Sequence, residues 1–186
     1  MQTNVIIIDD FYIDPDGVRD FALQQDFSVT GNYPGARTKT FMTEDVKQTL
    51  STAIRPHGGN IHTWFETDGF TGSFQMTTAK DRSWIHTDHG NTWAGVCYLT
   101  PGAPYTGGTG LFRHRHTGSR YVSEMPANFS YESQDMTKWD LVDVIGNIYN
   151  RLVLYRSNLF HSSLDYFGST AEDGRLFQLF FFSTDF

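Results

Sequence analysis

From Ile61 onward the chain is cut into short apolar runs, at 61–66, 72–79, 84–88, 93–100, 109–115, 148–155 and 175–183, separated by turns rich in Gly and Pro. Runs of that length, carrying Phe, Tyr, Trp, Val and Thr, read as strands, and turns so closely spaced leave no room for long helices. The part before Ile61 reads differently. Val5 to Ile8 reads as a strand, and Asp14-Pro15 supplies a helix N-cap followed by proline at the first helical position. Val18, Phe21 and Ala22 share one face of the helix expected from there to about Gln25. A second helix is expected from Thr43, with Glu44 and Asp45 in its first turn and Val46, Leu50 and Ile54 as its buried stripe. Pro56-His57-Gly58-Gly59 is expected to close it.

Two helices followed by about eight strands predict a mainly β protein, a double-stranded β-helix or jelly roll with two or three supporting helices. In that arrangement two sheets face each other and the helices cover one of them. The expected organisation is one domain over 1–186, with helices about 14–56 and a core about 61–186. Residues 117–147 show few strand signals and read as an insertion with a short helix around 136–145, forming one wall of a pocket.

A chain of 186 residues can bury its own core without disulfides. The single cysteine, Cys97, lies in the apolar run 94–99 and is expected as a small buried thiol, which fits a reducing compartment. Asp9-Asp10 stops the apolar run Val5 to Ile8, so neither a signal peptide nor a membrane span is expected, and the localisation expected is cytoplasmic. Net charge is −7, from 14 Lys and Arg against 21 Asp and Glu, which argues against a nucleic-acid partner. Oligomeric state is open.

The chemistry-bearing residues are His86-Thr-Asp88, then His161, then Arg175. In an extended strand residues i and i+2 point to the same side about 6 to 7 Å apart, so His86 and Asp88 can converge on one ion. Two imidazoles and a carboxylate can occupy one face of an octahedral Fe(II) and leave the other positions open. Gly107-Gly108-Thr109-Gly110 lacks a following Lys-Ser or Lys-Thr and is read as a turn feeding a strand, not a phosphate loop.

Four stretches together carry a resemblance: His86-Thr-Asp88 with the run Trp93 to Thr100; Gly107 to Phe112; Asn150 to His161; and Arg175 to Phe182. The C-terminal two-thirds resembles the Fe(II)/2-oxoglutarate-dependent dioxygenases, in the prolyl-hydroxylase-like branch. The resemblance implies His86, Asp88 and His161 as metal ligands and Arg175 as a bidentate holder of the distal carboxylate of 2-oxoglutarate. It implies Fe(II), 2-oxoglutarate and O2 as reactants, and hydroxylation of an amino acid, peptide side chain or small metabolite with release of succinate and CO2. By the same analogy Gln75, Thr77, Tyr98 and Asn150 are candidate co-substrate contacts, each with a structural role as the alternative. Asp88 stands where halogenases of the superfamily have a small residue, which favours hydroxylation. Phe181 stands where nucleic-acid demethylases carry a second arginine.

His114 and His116, interleaved with Arg113 and Arg115, form the rival constellation. A His-x-His can bind metal in a cupin-like site, but Arg120 stands where such sites carry a glutamate. The alternatives are thus a cupin-like metal protein using His114 and His116, or a non-catalytic jelly-roll binding module. Arg113 and Arg115 are also candidates for recognising an anionic group of the substrate. His57, His62 and His89 are expected as surface or hydrogen-bonding residues.

Overall fold

The computed structural model describes residues 2–67, 69–126 and 132–186. The chain runs β1 (Val5–Ile8), α1 (Pro15–Leu23), β2 (Ala36–Thr40), α2 (Glu44–Gly58), β3 (Ile61–Trp64), β4 (Ser73–Thr77), β5 (Trp93–Tyr98), β6 (Thr109–His114), β7 (Trp139–Ile145), β8 (Leu152–Arg156), β9 (His161–Ser163) and β10 (Arg175–Thr184). These form a major sheet in the order β1-β8-β5-β10-β4-β2, with β3 added to the end of β10, and a minor sheet β7-β6-β9. All pairings between these strands are antiparallel. The architecture is mainly β, with two α-helices among the described residues.

Both helices begin as their sequences dictate. Asp14 caps α1 by accepting from Gly17 N at 3.0 Å, and Thr43 caps α2 by accepting from Val46 N at 3.3 Å. Helix α2 runs through Pro56 rather than stopping before it, and ends at Gly59, whose φ of 81° admits the left-handed cap and returns its N–H to Arg55 O at 3.1 Å.

The major sheet has two dissimilar faces, set by the two-residue period of its strands. On one, Trp93, Cys97, Leu152, Leu154, Leu176, Phe180 and Phe182 pack against Ala22, Leu50 and Ile54 of the helices. On the other, Ala94, Val96, Tyr98, Val153, Tyr155, Phe177, Leu179 and Phe181 meet Leu111 and Ile145 of the minor sheet. The same period carries Arg175 to the inter-sheet side with Phe177, opposite Thr77 and Gln75 of β4, while Phe74 and Met76 face the helices. Cys97 lies on the helix side, fully buried, where burial pushes its thiol pKa up.

Several sequence expectations need correction. The helix expected around 136–145 is strand β7, paired with β6 along its length, preceded by a single 3-10 turn over Met136–Lys138. Leu141, Val142, Val144 and Ile145 are better suited to a pleated edge, and the exposed side of β6 offers them a ladder. Part of the 117–147 segment, 127–131, lies outside the described residues. The run 84–88 is reduced to one bridge, His86 to His161. The run 148–155 becomes a strand only at Leu152, because Asn150 turns the chain with φ 63°. Strands β2 and β9 carry too few apolar residues to show in the pattern. Among the described residues no helix is long and apolar enough to cross a membrane.

Candidate metal centre and its pocket

Main-chain pairing assembles the cluster. His86 and His161 oppose each other across the bridge and exchange both hydrogen bonds, His86 N to His161 O and His161 N to His86 O, each 2.9 Å. Directly opposed residues of an antiparallel pair project their side chains to the same face, and the two imidazoles lie with ring centroids 4.4 Å apart. Asp88, two residues on, is held by its N–H to Ser157 O at 2.8 Å, and its Oδ2 lies 3.3 Å from His161 Nε2. One ligand atom from each of His86, Asp88 and His161 falls within 4.8 Å of the others, and among the described residues this is the single such group of three.

The donor chemistry fits a cation. His86 Nδ1 lies 3.0 Å from Trp84 O and His161 Nδ1 lies 2.9 Å from Leu159 O. A carbonyl only accepts, so each Nδ1 carries a hydrogen, leaving Nε2 as the atom each ring can offer a metal. Burial, with His161 and Arg37 nearby, pulls the His86 pKa down to about 4, so the ring is neutral at pH 7. Burial pushes Asp88 up, but the adjacent His161 outweighs it and holds the carboxylate below its ordinary range. Two ring nitrogens and a carboxylate thus converge within 4.8 Å of one another, a donor set that suits a metal ion.

Against the cluster lies a cavity of about 70 Å³ whose lining includes Val96, Thr109, Tyr155, Ser163, Tyr166 and Phe177. It shares Tyr33, Pro34, Arg37, Ser83, His86, Asp88 and Phe181 with an outer cleft of about 710 Å³. The cleft adds Phe65, Phe70, Trp84, His89 and Asn91. Tyr155 is buried, its ring 4.5 Å from that of His161.

Arg175 is fully buried behind Phe177 and Thr109 and is not itself in the cavity lining. Its Nε donates to Gly107 O at 2.8 Å and its guanidinium stands 4.3 Å from the Phe177 ring centre and 5.3 Å from that of Tyr98. Nη1 has no hydrogen-bond partner among the described residues. A buried cation with an unsatisfied donor and no carboxylate at ion-pair distance is costly, and an incoming carboxylate would relieve it. The same Gly107-Gly108 turn packs against the end of β7, where a Cβ on Gly108 would stand 1.9 Å from Ile145 O.

The other candidates fall as follows. Thr77 is buried beside Arg175, its hydroxyl 3.5 Å from Arg175 O. The Tyr98 hydroxyl contacts Thr109 Oγ1 at 2.7 Å, at the back of the cavity. Gln75 lines the cavity, but its amide is committed, accepting from Arg37 Nε at 2.8 Å and donating to Pro34 O at 2.6 Å. Asn150 lies away from the cavity, with its amide on the main chain of Tyr12 in both directions at 2.8 Å. It ties the entry of α1 to the turn before β8, so a co-substrate role does not suit it. Arg113 and Arg115 both pair with Asp140, at 2.9 and 2.7 Å, and neither lines the cavity or the cleft. His114 is buried on β6 with its ring 5.0 Å from that of Trp139, on the outer side of the minor sheet with Phe112 and Phe160.

Sequence reasoning missed the wall Tyr33-Pro34-Gly35-Ala36-Arg37. Its signal was present in outline: a Pro-Gly turn followed by the alternating Ala36-Arg-Thr-Lys-Thr40. Gly35, at φ 71°, packs so closely on β4 that a Cβ would stand 2.0 Å from Met76 O, and this sets Arg37 opposite Gln75.

The profile of a family of unknown function, DUF6445, matches residues 1–181. The chain belongs to the DUF6445 family. No curated protein matches this DUF6445 member in sequence. Its fold is similar to that of HygX from Streptomyces hygroscopicus with nickel and 2-oxoglutarate bound, with TM-score 0.65 at 12% identity over 100% of this chain and 84% of HygX. HygX with nickel, 2-oxoglutarate and hygromycin B gives 0.63 at the same identity and coverage. A Trichoplax adhaerens prolyl hydroxylase in complex with a hypoxia-inducible-factor peptide gives 0.50 at 14% identity, over 97% of this chain and 84% of that one. At such identities the likeness establishes a shared fold.

Proposed function

We propose that this DUF6445 protein is an Fe(II)- and 2-oxoglutarate-dependent oxygenase, a hydroxylase of an amino acid, a peptide side chain or a small metabolite. On this reading the chain is one oxygenase domain over 1–186, its two facing sheets are a double-stranded β-helix, and it works in the cytoplasm. The observation that carries the reading is the convergence of one ligand atom from each of His86, Asp88 and His161 within 4.8 Å, with each Nδ1 tied to a main-chain carbonyl. Similar folds that hold nickel with 2-oxoglutarate lend support, as does the fold shared with a prolyl hydroxylase.

His86 and His161 would hold the metal through Nε2, and Asp88 through its carboxylate. When bound, iron with 2-oxoglutarate and O2 supplies the oxidant that removes hydrogen from a substrate C–H, and 2-oxoglutarate leaves as succinate and CO2. The protein's own residues bind and orient. Trp84 O and Leu159 O fix both imidazole tautomers, and Arg175 offers Nη1 to the distal carboxylate of the co-substrate. Phe177, Leu179 and Phe181 keep water from the inter-sheet layer. The cleft around Trp84 and Phe70 admits a substrate the size of a metabolite or an extended side chain.

Calorimetric titration with Mn(II), an unreactive substitute for Fe(II), followed by 2-oxoglutarate tests the reading. Two saturable events are expected, the second dependent on the first, and His161→Ala should lose both. Succinate release across pools of amino acids, peptides and cell extract, with His161→Ala as the blank, then identifies the substrate. Absence of any 2-oxoglutarate event would leave a non-catalytic binding module. The cupin-like alternative gains nothing from the geometry, since His114 packs under Trp139 and among the described residues no metal-competent group includes His116.

A further inference from the structure

Among the described residues Arg37 is the one guanidinium lining both the cavity and the outer cleft. It is 9% exposed and strongly held, with Nε on Gln75 Oε1 at 2.8 Å, Nη1 on Gly69 O, and its centre 3.6 Å above the Tyr33 ring. Burial lowers its pKa to about 10, so it stays a cation at neutral pH. Among the described residues no carboxylate comes within ion-pair distance of it, and Nη2 makes no hydrogen bond. Among the other arginines, Arg113 and Arg115 take Asp140, Arg120 takes Asp143 and Arg151 takes Asp9, whereas Arg19, Arg156 and Arg175 bond to main-chain carbonyls. A cation fixed on three sides and left unpaired at the mouth of a cavity is prepared for an anion from solution.

We propose that Arg37 anchors a carboxylate of the primary substrate, so that the substrate class is an organic carboxylic acid whose body lies along Trp84, Phe70 and Phe181. The inference rests on the oxygenase reading above and extends it to the substrate. Arg37 and Arg175 then divide the work. Arg175 lies buried behind Phe177 and Thr109, whereas Arg37 stands where cavity and cleft join. A single guanidinium near the Asp88 carboxylate suits a monoanion, because a phosphate dianion would bring twice the charge into an already acidic protein.

The test uses the full chain loaded with Mn(II) and N-oxalylglycine, an unreactive analogue of 2-oxoglutarate, with acetate as the probe. Mn(II) speeds the relaxation of protons held close to it, so a saturable enhancement of the acetate methyl relaxation is expected in the wild-type protein. Acetamide, the neutral isostere, should show none, and inorganic phosphate should compete weakly. Arg37→Gln should weaken acetate binding by about 10-fold or more and Arg37→Lys by less, both with Mn(II) and N-oxalylglycine affinity unchanged. Equal enhancement by acetamide, unchanged acetate binding in Arg37→Gln, or no acetate enhancement in wild type would each overturn the inference. So would a loss of N-oxalylglycine affinity in Arg37→Lys, which would make Arg37 a co-substrate group. If wild type fails to take up N-oxalylglycine, the oxygenase reading falls and this inference with it, a failure visible before acetate is added. Should Arg37→Gln not fold, the lysine variant and the acetate-acetamide contrast in wild type still decide.

Discussion

The two faces of β10 are built from the same strand and serve opposite ends. On the helix side, Leu176, Phe180 and Phe182 are fully buried, and the polar Gln178 among them is fully engaged. Its amide donates to Gly72 O at 2.9 Å and Phe41 O at 3.2 Å, and its carbonyl accepts from the Tyr12 hydroxyl. On the inter-sheet side, Arg175 keeps an unsatisfied nitrogen, and the layer beyond it holds three converging ligand atoms and Arg37, which has no carboxylate partner among the described residues. Satisfied polar groups in a close-packed layer stabilise a fold, whereas unsatisfied ones cost stability and persist where a ligand completes them. The difference separates scaffold from site without reference to any relative.

Substitutions on either side of the strand can break that division. Phe180→Ala should lower unfolding free energy by about 3–5 kcal/mol through the cavity it leaves, with Mn(II) affinity of the folded protein unchanged. Urea denaturation combined with metal titration measures both, and a matching loss of metal affinity would show that the helix-side layer also shapes the site. Arg175→Gln is expected to do the reverse. Co-substrate affinity should fall about 10- to 100-fold, a loss typical of removing a charge-assisted hydrogen-bond partner, while the urea midpoint of the ligand-free protein holds or rises. A large drop in that midpoint would mean the bonds to Gly107 and Gly108 matter more to the fold than to a ligand.

The sequence made the scaffold face easy to read and the site face only partly so. Near-continuous apolar runs on β5, β8 and β10 announce strands because burial on both faces demands them. His86 and Asp88 were legible because the two-residue strand period is local, and His161 and Arg175 through the resemblance. Arg37 was not, since β2 has only Ala36 as an apolar residue and its place depends on Gly35 docking against Met76 O, a contact between distant parts of the chain. Strand β7 was misread for a related reason: it is an edge strand with Leu141, Val142 and Val144 exposed, so its burial pattern lacks the two-residue period.

The smallest effect is expected at Arg113 and Arg115, where the sequence suggested anion recognition and the structure shows both guanidinium groups spent on Asp140. The hydrogen bond from Arg113 holds the Asp140 pKa below its ordinary value, with desolvation opposing and Arg115 adding to it. The folded pKa is therefore below the unfolded one, so the pairing stabilises the fold above the ordinary carboxylate range and its contribution disappears as pH falls through the folded value. The groups are exposed and screened, so Arg113→Gln with Arg115→Gln should move the melting midpoint by no more than ~2 °C at pH 7 in low salt, and by less at pH 3 or in high salt. Acetate binding to the loaded protein and 2-oxoglutarate affinity should be unchanged. A double variant that keeps its melting midpoint yet loses acetate would place the anion site on the minor sheet instead of at Arg37, because an arginine pair that contributes nothing to the fold but everything to a ligand has the same character as the face of β10 turned toward His161.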